Sequence, residues 1–103
     1  MDTWQPVTTV ELAALIEAQL ADCSLEQKQF FERIRVSPRL APIDRSGNVE
    51  HVFVVAQVRD VALYYEDVEA GFNISPLGQD GEIASPGYEQ WELRHALLHL
   101  GAT

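Results

Sequence analysis

Glu92, His95 and His99 carry the side chains best suited to chemistry in this sequence. On an ideal helix, at about 100° per residue, the three lie within about 60° of one another. One carboxylate and two imidazoles at that spacing could ligate a divalent cation, with His51 or Asp67 as a fourth ligand. The same segment also reads as packing. Tyr88, Trp91, His95 and Leu98 form one apolar-leaning stripe, and Leu93, Ala96, Leu97 and Leu100 form another. On that reading His95 is a half-buried, hydrogen-bonded core residue. A small metal-dependent or acid–base enzyme centred on Glu92, His95 and His99 is therefore the second reading of function, and no cofactor is expected on the first.

Other reactive groups point less far. Glu66, Asp67 and Glu69 crowd the end of an apolar segment, and like charges at close range raise proton affinity, as an acid catalyst needs. Solvated strand-end carboxylates have the same pattern. Cys23, the single cysteine, falls on an apolar stripe and reads as a small buried hydrophobe rather than a thiolate. Ser37, Ser75 and Ser85 each adjoin proline, which suits turns and caps. The stretch Gly78-Gln79-Asp80-Gly81-Glu82 places two acids where a phosphate loop needs open backbone N–H groups. It also lacks the alternating oxygen ligands of a calcium loop.

The densest stretch is Tyr64-Tyr65-Glu66-Asp67-Val68-Glu69-Ala70-Gly71-Phe72-Asn73-Ile74. Carboxylates steer a cationic protein into register, and rings supply contact area. Tyr64, Tyr65, Glu66, Asp67, Glu69 and Phe72 are therefore the expected partner-binding residues. Charge distribution supports this choice. The chain carries 16 acidic and 7 basic residues, net −9, and no Lys or Arg lies between Arg59 and Arg94. Such a balance argues against direct nucleic-acid binding, which needs clustered cations, and against anionic membrane surfaces. A basic protein partner is compatible with it. In size and acidity the chain is similar to small bacterial inhibitors that neutralise basic nuclease toxins. That similarity is one of composition and carries no residue across.

The elements that must position these groups follow from local signals. Length, 103 residues, and a 47% hydrophobic composition suit a single compact α+β domain, 1–103, that buries roughly two-thirds of its unfolded surface. Thr8 and Glu11 have capping-box spacing, Val7 and Leu12 that of a hydrophobic staple, and a helix is predicted over 9–22. Ser24 and Gln27 repeat the box before a shorter helix over 25–33. Pro38 and Pro42 confine any strand near them to an edge. Ser46-Gly47-Asn48 marks a turn, and Val49–Val58, Val61–Glu66 and Gly71–Ser75 read as strands. Pro76 to Gly87 reads as a loop in which Ile83 pairs briefly. Ser85 as N-cap, Pro86 at the first helical position and Gly101 as C-cap predict a last helix from Pro86 to Leu100.

The expected architecture is α+β: an antiparallel β-meander of three to four strands with the N- and C-terminal helices packed on one face. The other face, with Phe53, Tyr64 and nearby Phe72, is either covered by the second helix or the Pro/Gly loop, or left as a patch for a partner or a homodimer. One cysteine suits a reducing compartment. The start, Met1-Asp2-Thr3-Trp4, has no basic region followed by an apolar core, and the longest apolar run, Val52–Ala56, is short for a membrane span. A cytoplasmic, non-enzymatic protein-binding module is the first reading. A structural homo-oligomer subunit is the third.

Overall fold

A computed structural model describes residues 7–101. The reading of Met1–Trp4 lies outside the described residues. Two capping boxes open the structure. Thr8 Oγ1 accepts the Glu11 N–H at 3.1 Å while Glu11 Oε1 accepts the Thr8 N–H at 3.0 Å. Helix α1 then runs over Thr9–Leu20 and buries Leu12, Ile16 and Leu20. Ser24 and Gln27 repeat the exchange at 3.1 and 3.0 Å, opening α2, Leu25–Ile34. Each box satisfies two N–H groups that a helix start leaves free. At Arg35 the backbone turns extended, φ −66° and ψ 146°, and the chain passes straight into a strand.

Four strands follow: β1 (Arg35–Arg45), β2 (Asn48–Val58), β3 (Val61–Glu66) and β4 (Gly71–Pro76). They form an antiparallel meander in the order β1-β2-β3-β4. The β1–β2 turn places Ser46 at φ 54° and Gly47 at φ 89°, the two left-handed positions that match hairpin twist. A bulge between Val54 and Ala56 lets both Val55 and Ala56 join the core under the helices.

The sheet separates two cores. Leu12, Ile16, Leu20 and Phe31 pack with Val55, Leu63, Phe72 and the last helix, α3 (Leu93–Leu100), on one face. Terminal helices thus share a face of an antiparallel meander, as expected. On the other face Ala41, Ile43, Val52, Val54, Ala62 and Tyr64 close around Ile83. Residues 77–91 form a strap over this second core. Ile83 bridges Leu77, just past β4, and Ile43 of β1, so one residue joins both edges of the sheet.

The strap corrects the predicted last helix, which begins at Leu93 rather than Pro86. Local cap chemistry at Ser85-Pro86 loses to side chains reaching up from the strands. The Ser85 N–H donates to Ser75 Oγ at 2.9 Å, and the Gly87 N–H to Tyr64 Oη at 2.9 Å. Asn73 takes both backbone groups of Glu89, at 2.9 and 3.0 Å, and Phe72 N–H donates to Trp91 O. Of these, the Glu89 N–H and the Glu89 and Trp91 carbonyls are the groups that helical turns from Pro86 would need. Helix α3 is capped from elsewhere: its Leu93 N–H donates to Gln19 Oε1 of α1 at 2.6 Å. Gly101, at φ 115°, ends it as expected. Among the described residues no helix is long and apolar enough to cross a membrane.

Candidate interaction surface

The expected acidic and aromatic partner surface does not form as read. Tyr64, Glu66 and Phe72 are buried, at 0%, 1% and 0% exposure. Alternation sends Tyr64 and Glu66 into the strap-side core and Phe72 under the helices. The Pro/Gly strap, not a partner, covers the second face. Glu66 meets a guanidinium of the same chain: Arg45, at the end of β1, forms an ion pair with it. Glu66 Oε1 also accepts the Val68 N–H at 3.0 Å. Arg45 Nε lies 3.4 Å from Glu50 Oε1, without the alignment of a hydrogen bond. Asp67 Oδ2 accepts the Val7 N–H at 3.1 Å, and Glu69 Oε2 accepts from Gln90 Nε2 at 3.3 Å. Of the six expected residues, Tyr65, Asp67 and Glu69 keep partial access to solvent.

The three residues of the metal reading are not brought together. Glu92 lies before the first turn of α3, where its Oε1 accepts from Arg94 Nε and Nη2 at 3.4 and 3.3 Å. His95 is exposed rather than half-buried. His99 lies flat on Trp91, ring centroids 4.2 Å apart and planes 7° from parallel. Among the described residues no three His, Cys, Asp or Glu side chains come together as a metal site. The late start of α3 removes the helical geometry on which that reading depended. Cys23 is buried as expected, its Sγ–H donating to Gln19 O at 3.6 Å, and burial pushes its thiol up from the ordinary range.

One apolar surface remains open. Helices α1, α2 and α3 cover only part of their face, and the β1–β2 hairpin runs on beyond them. Leu40 pairs with Phe53, and Phe53 with Tyr65, so three strands contribute one row. Along the hairpin the same parity adds Pro42 opposite His51 and Asp44 opposite Val49. Leu40 is 58% and Val49 66% exposed, while Phe53 and Tyr65 are half-buried. Tyr65 is held from behind by an edge-on contact with Phe72, centroids 5.1 Å apart. Burial, and then Asp67, pushes the Tyr65 phenol up from its ordinary range. Asp44 and Asp67 bracket the row with negative charge.

Sequence reasoning missed Leu40 and Val49 as surface residues. The signal was present: Leu40 sits between two prolines, and Val49 follows a turn, where no helix could reach. No family model matches the chain, and neither a curated protein nor a solved structure is similar enough to it to suggest a function.

Proposed function

We propose that this chain is a non-enzymatic interaction module that binds a basic protein partner through the open face of the β1–β2 hairpin. The reading rests on one observation: the contiguous row Leu40–Phe53–Tyr65, extended by Val49, in which Leu40 and Val49 stand exposed beside the half-buried Phe53 and Tyr65. An apolar patch with an acidic margin marks a protein contact. A net charge of −9 disfavours a second copy and favours a cationic partner, since it speeds encounter between opposite charges. The single buried thiol suits the reducing cytoplasm.

The test places a photo-crosslinking residue at Val49 and, separately, at the exposed Ala13 of α1. The expected result is a partner of basic isoelectric point captured from Val49 and not from Ala13, and lost in Leu40→Asp. Equal capture from both positions, or capture indifferent to Leu40→Asp with the fold intact, overturns the reading. Light scattering over a dilution series settles the homodimer separately: a dimer that Leu40→Asp dissociates would replace the basic partner with a second copy.

A further inference from the structure

A cleft of about 460 Å³ opens at the end of the sheet opposite the hairpin tip, between the β2–β3 turn and the last turn of α3. We infer that it binds a small organic monoanion, a carboxylate carried on an apolar body. Its volume lies within the range of small-ligand sites. Val58, Val61, Ile74 and Leu100 make the apolar lining, and Arg59, Asp60 and His99 the polar rim.

Arg59 carries the assignment. The chain has a net charge of −9, and its other arginines are occupied. Arg35 pairs with Glu17 and Glu32, Arg45 with Glu66 and Glu50, and Arg94 with Glu92. Arg33 lies over Phe30, and Arg39 donates to Gln57. The Arg59 guanidinium has no such partner among the described residues. Its backbone is nonetheless fixed with care. Arg59 sits at φ 55°, a left-handed conformation that the chain also gives to Ser46 and Ala70 and that favours glycine. Gln57 Nε2 donates to the Arg59 carbonyl at 2.7 Å, and the Leu77 N–H donates to the Asp60 carbonyl at 2.7 Å. A turn clamped by two bonds sets Arg59 on the rim of an apolar hollow.

The rim narrows the ligand class. A planar guanidinium matches a carboxylate with two parallel hydrogen bonds. His99 adds a second donor edge, its ring orientation fixed by the stack on Trp91. Asp60 stands beside Arg59 and, with the overall negative charge, opposes dianions. The apolar lining favours a hydrocarbon body over a bare inorganic ion. This site and the hairpin face lie at opposite ends of the sheet, so neither inference depends on the other.

Amide NMR titration of the whole chain tests the assignment with four probes: hexanoate, acetate, hexylammonium and inorganic phosphate. The expected result is saturable shifts at residues 58–61, 74, 99 and 100 with hexanoate, at a Kd of about 1 mM or tighter. Acetate, hexylammonium and phosphate should bind at least about tenfold more weakly, each tenfold being about 1.4 kcal/mol. Arg59→Gly should weaken hexanoate binding at least about tenfold while raising Tm, because it removes the charge and relieves the turn. A variant that is more stable cannot lose binding by failing to fold. Hexanoate that produces no saturable shift, hexylammonium that binds equally well, or Arg59→Gly that keeps full affinity each overturns the assignment.

Discussion

Replacing Arg45 with methionine tests how the acidic stretch is neutralised. In the folded chain Glu66 is 1% exposed and Arg45 15% exposed, and each is the other's nearest opposite charge. Two unit charges about 4 Å apart at an effective dielectric of about 20 attract by roughly 4 kcal/mol. Much of that is offset in the wild type by the cost of removing both ions from water, so the pair itself stabilises little. Arg45→Met removes only the compensation. Glu66 is left charged beneath the strap, with the Val68 N–H as its remaining donor. The expected loss is about 3–5 kcal/mol, the range for breaking a buried pair from one side. Near 4 kcal/mol, at roughly 5 °C per kcal/mol for a domain of this size, Tm falls by about 20 °C. The double variant Arg45→Met/Glu66→Leu should recover most of it, because neither charge is then buried. Urea unfolding of wild type, both single variants and the double variant gives the coupling energy directly. Glu50→Gln, whose carboxylate is half exposed, is the control and should cost under about 1 kcal/mol. If Arg45→Met costs under about 1 kcal/mol, or if the two changes add without coupling, Glu66 is not buried against Arg45. The acidic stretch would then be free to face a partner.

Three further outcomes follow from the packing. Burial pushes the Tyr64 phenol up more strongly than the Gly87 bond and Arg45 pull it down, and burial and Asp67 push Tyr65 up. The unfolded chain then releases protons above about pH 10 that the folded chain retains, so stability is full below about pH 10 and falls above it. Urea midpoints from pH 9 to 11 should show the decline, with a shallower slope in Tyr64→Phe; an unchanged slope would refute the assignment. A Cβ at Gly71 would stand 2.4 Å from Gln90 Cα, so Gly71→Ala should cost about 1–3 kcal/mol and release the later part of the 77–91 strap, read as faster amide exchange at Gly87 and Glu89. Equal exchange rates would show that the close approach is absent. Cys23 should react with a disulfide reagent on the order of a hundredfold more slowly in the folded chain than in urea. Reaction at the free-thiol rate would place it at the surface.

What the sequence disclosed was local. Both capping boxes lie within four residues, and their bonds form as the spacing predicts. The strands from Asn48 to Pro76 needed only alternation and turns, and their edges fall within a residue or two of expectation. The failures depend on distant partners. Ser85-Pro86 is good helix-start chemistry, but Ser75 and Tyr64 hold its first N–H groups to the strands, and Asn73 claims the Glu89 backbone that a helix would use. Three polar groups on the strands facing the strap were a legible hint, since buried polar atoms need partners. The neutralising of Glu66 by Arg45 was not legible, because it depends on which edge of the sheet each strand occupies. The cleft was hidden for a related reason: Arg59-Asp60 reads as a turn, but nothing in the residue types reveals that Arg59 takes φ 55°.

Ile83 also bears on how the chain comes into being. It is made after all four strands, and until it arrives both borders of the meander expose unsatisfied backbone groups to any passing extended peptide. Ile43, Val54 and Tyr64 meanwhile face water. A nascent or truncated chain ending before residue 83 therefore has every strand and still the stickiest possible form of them. A lesion in this short hydrophobic latch would open the second core and loosen both edges of the sheet at once.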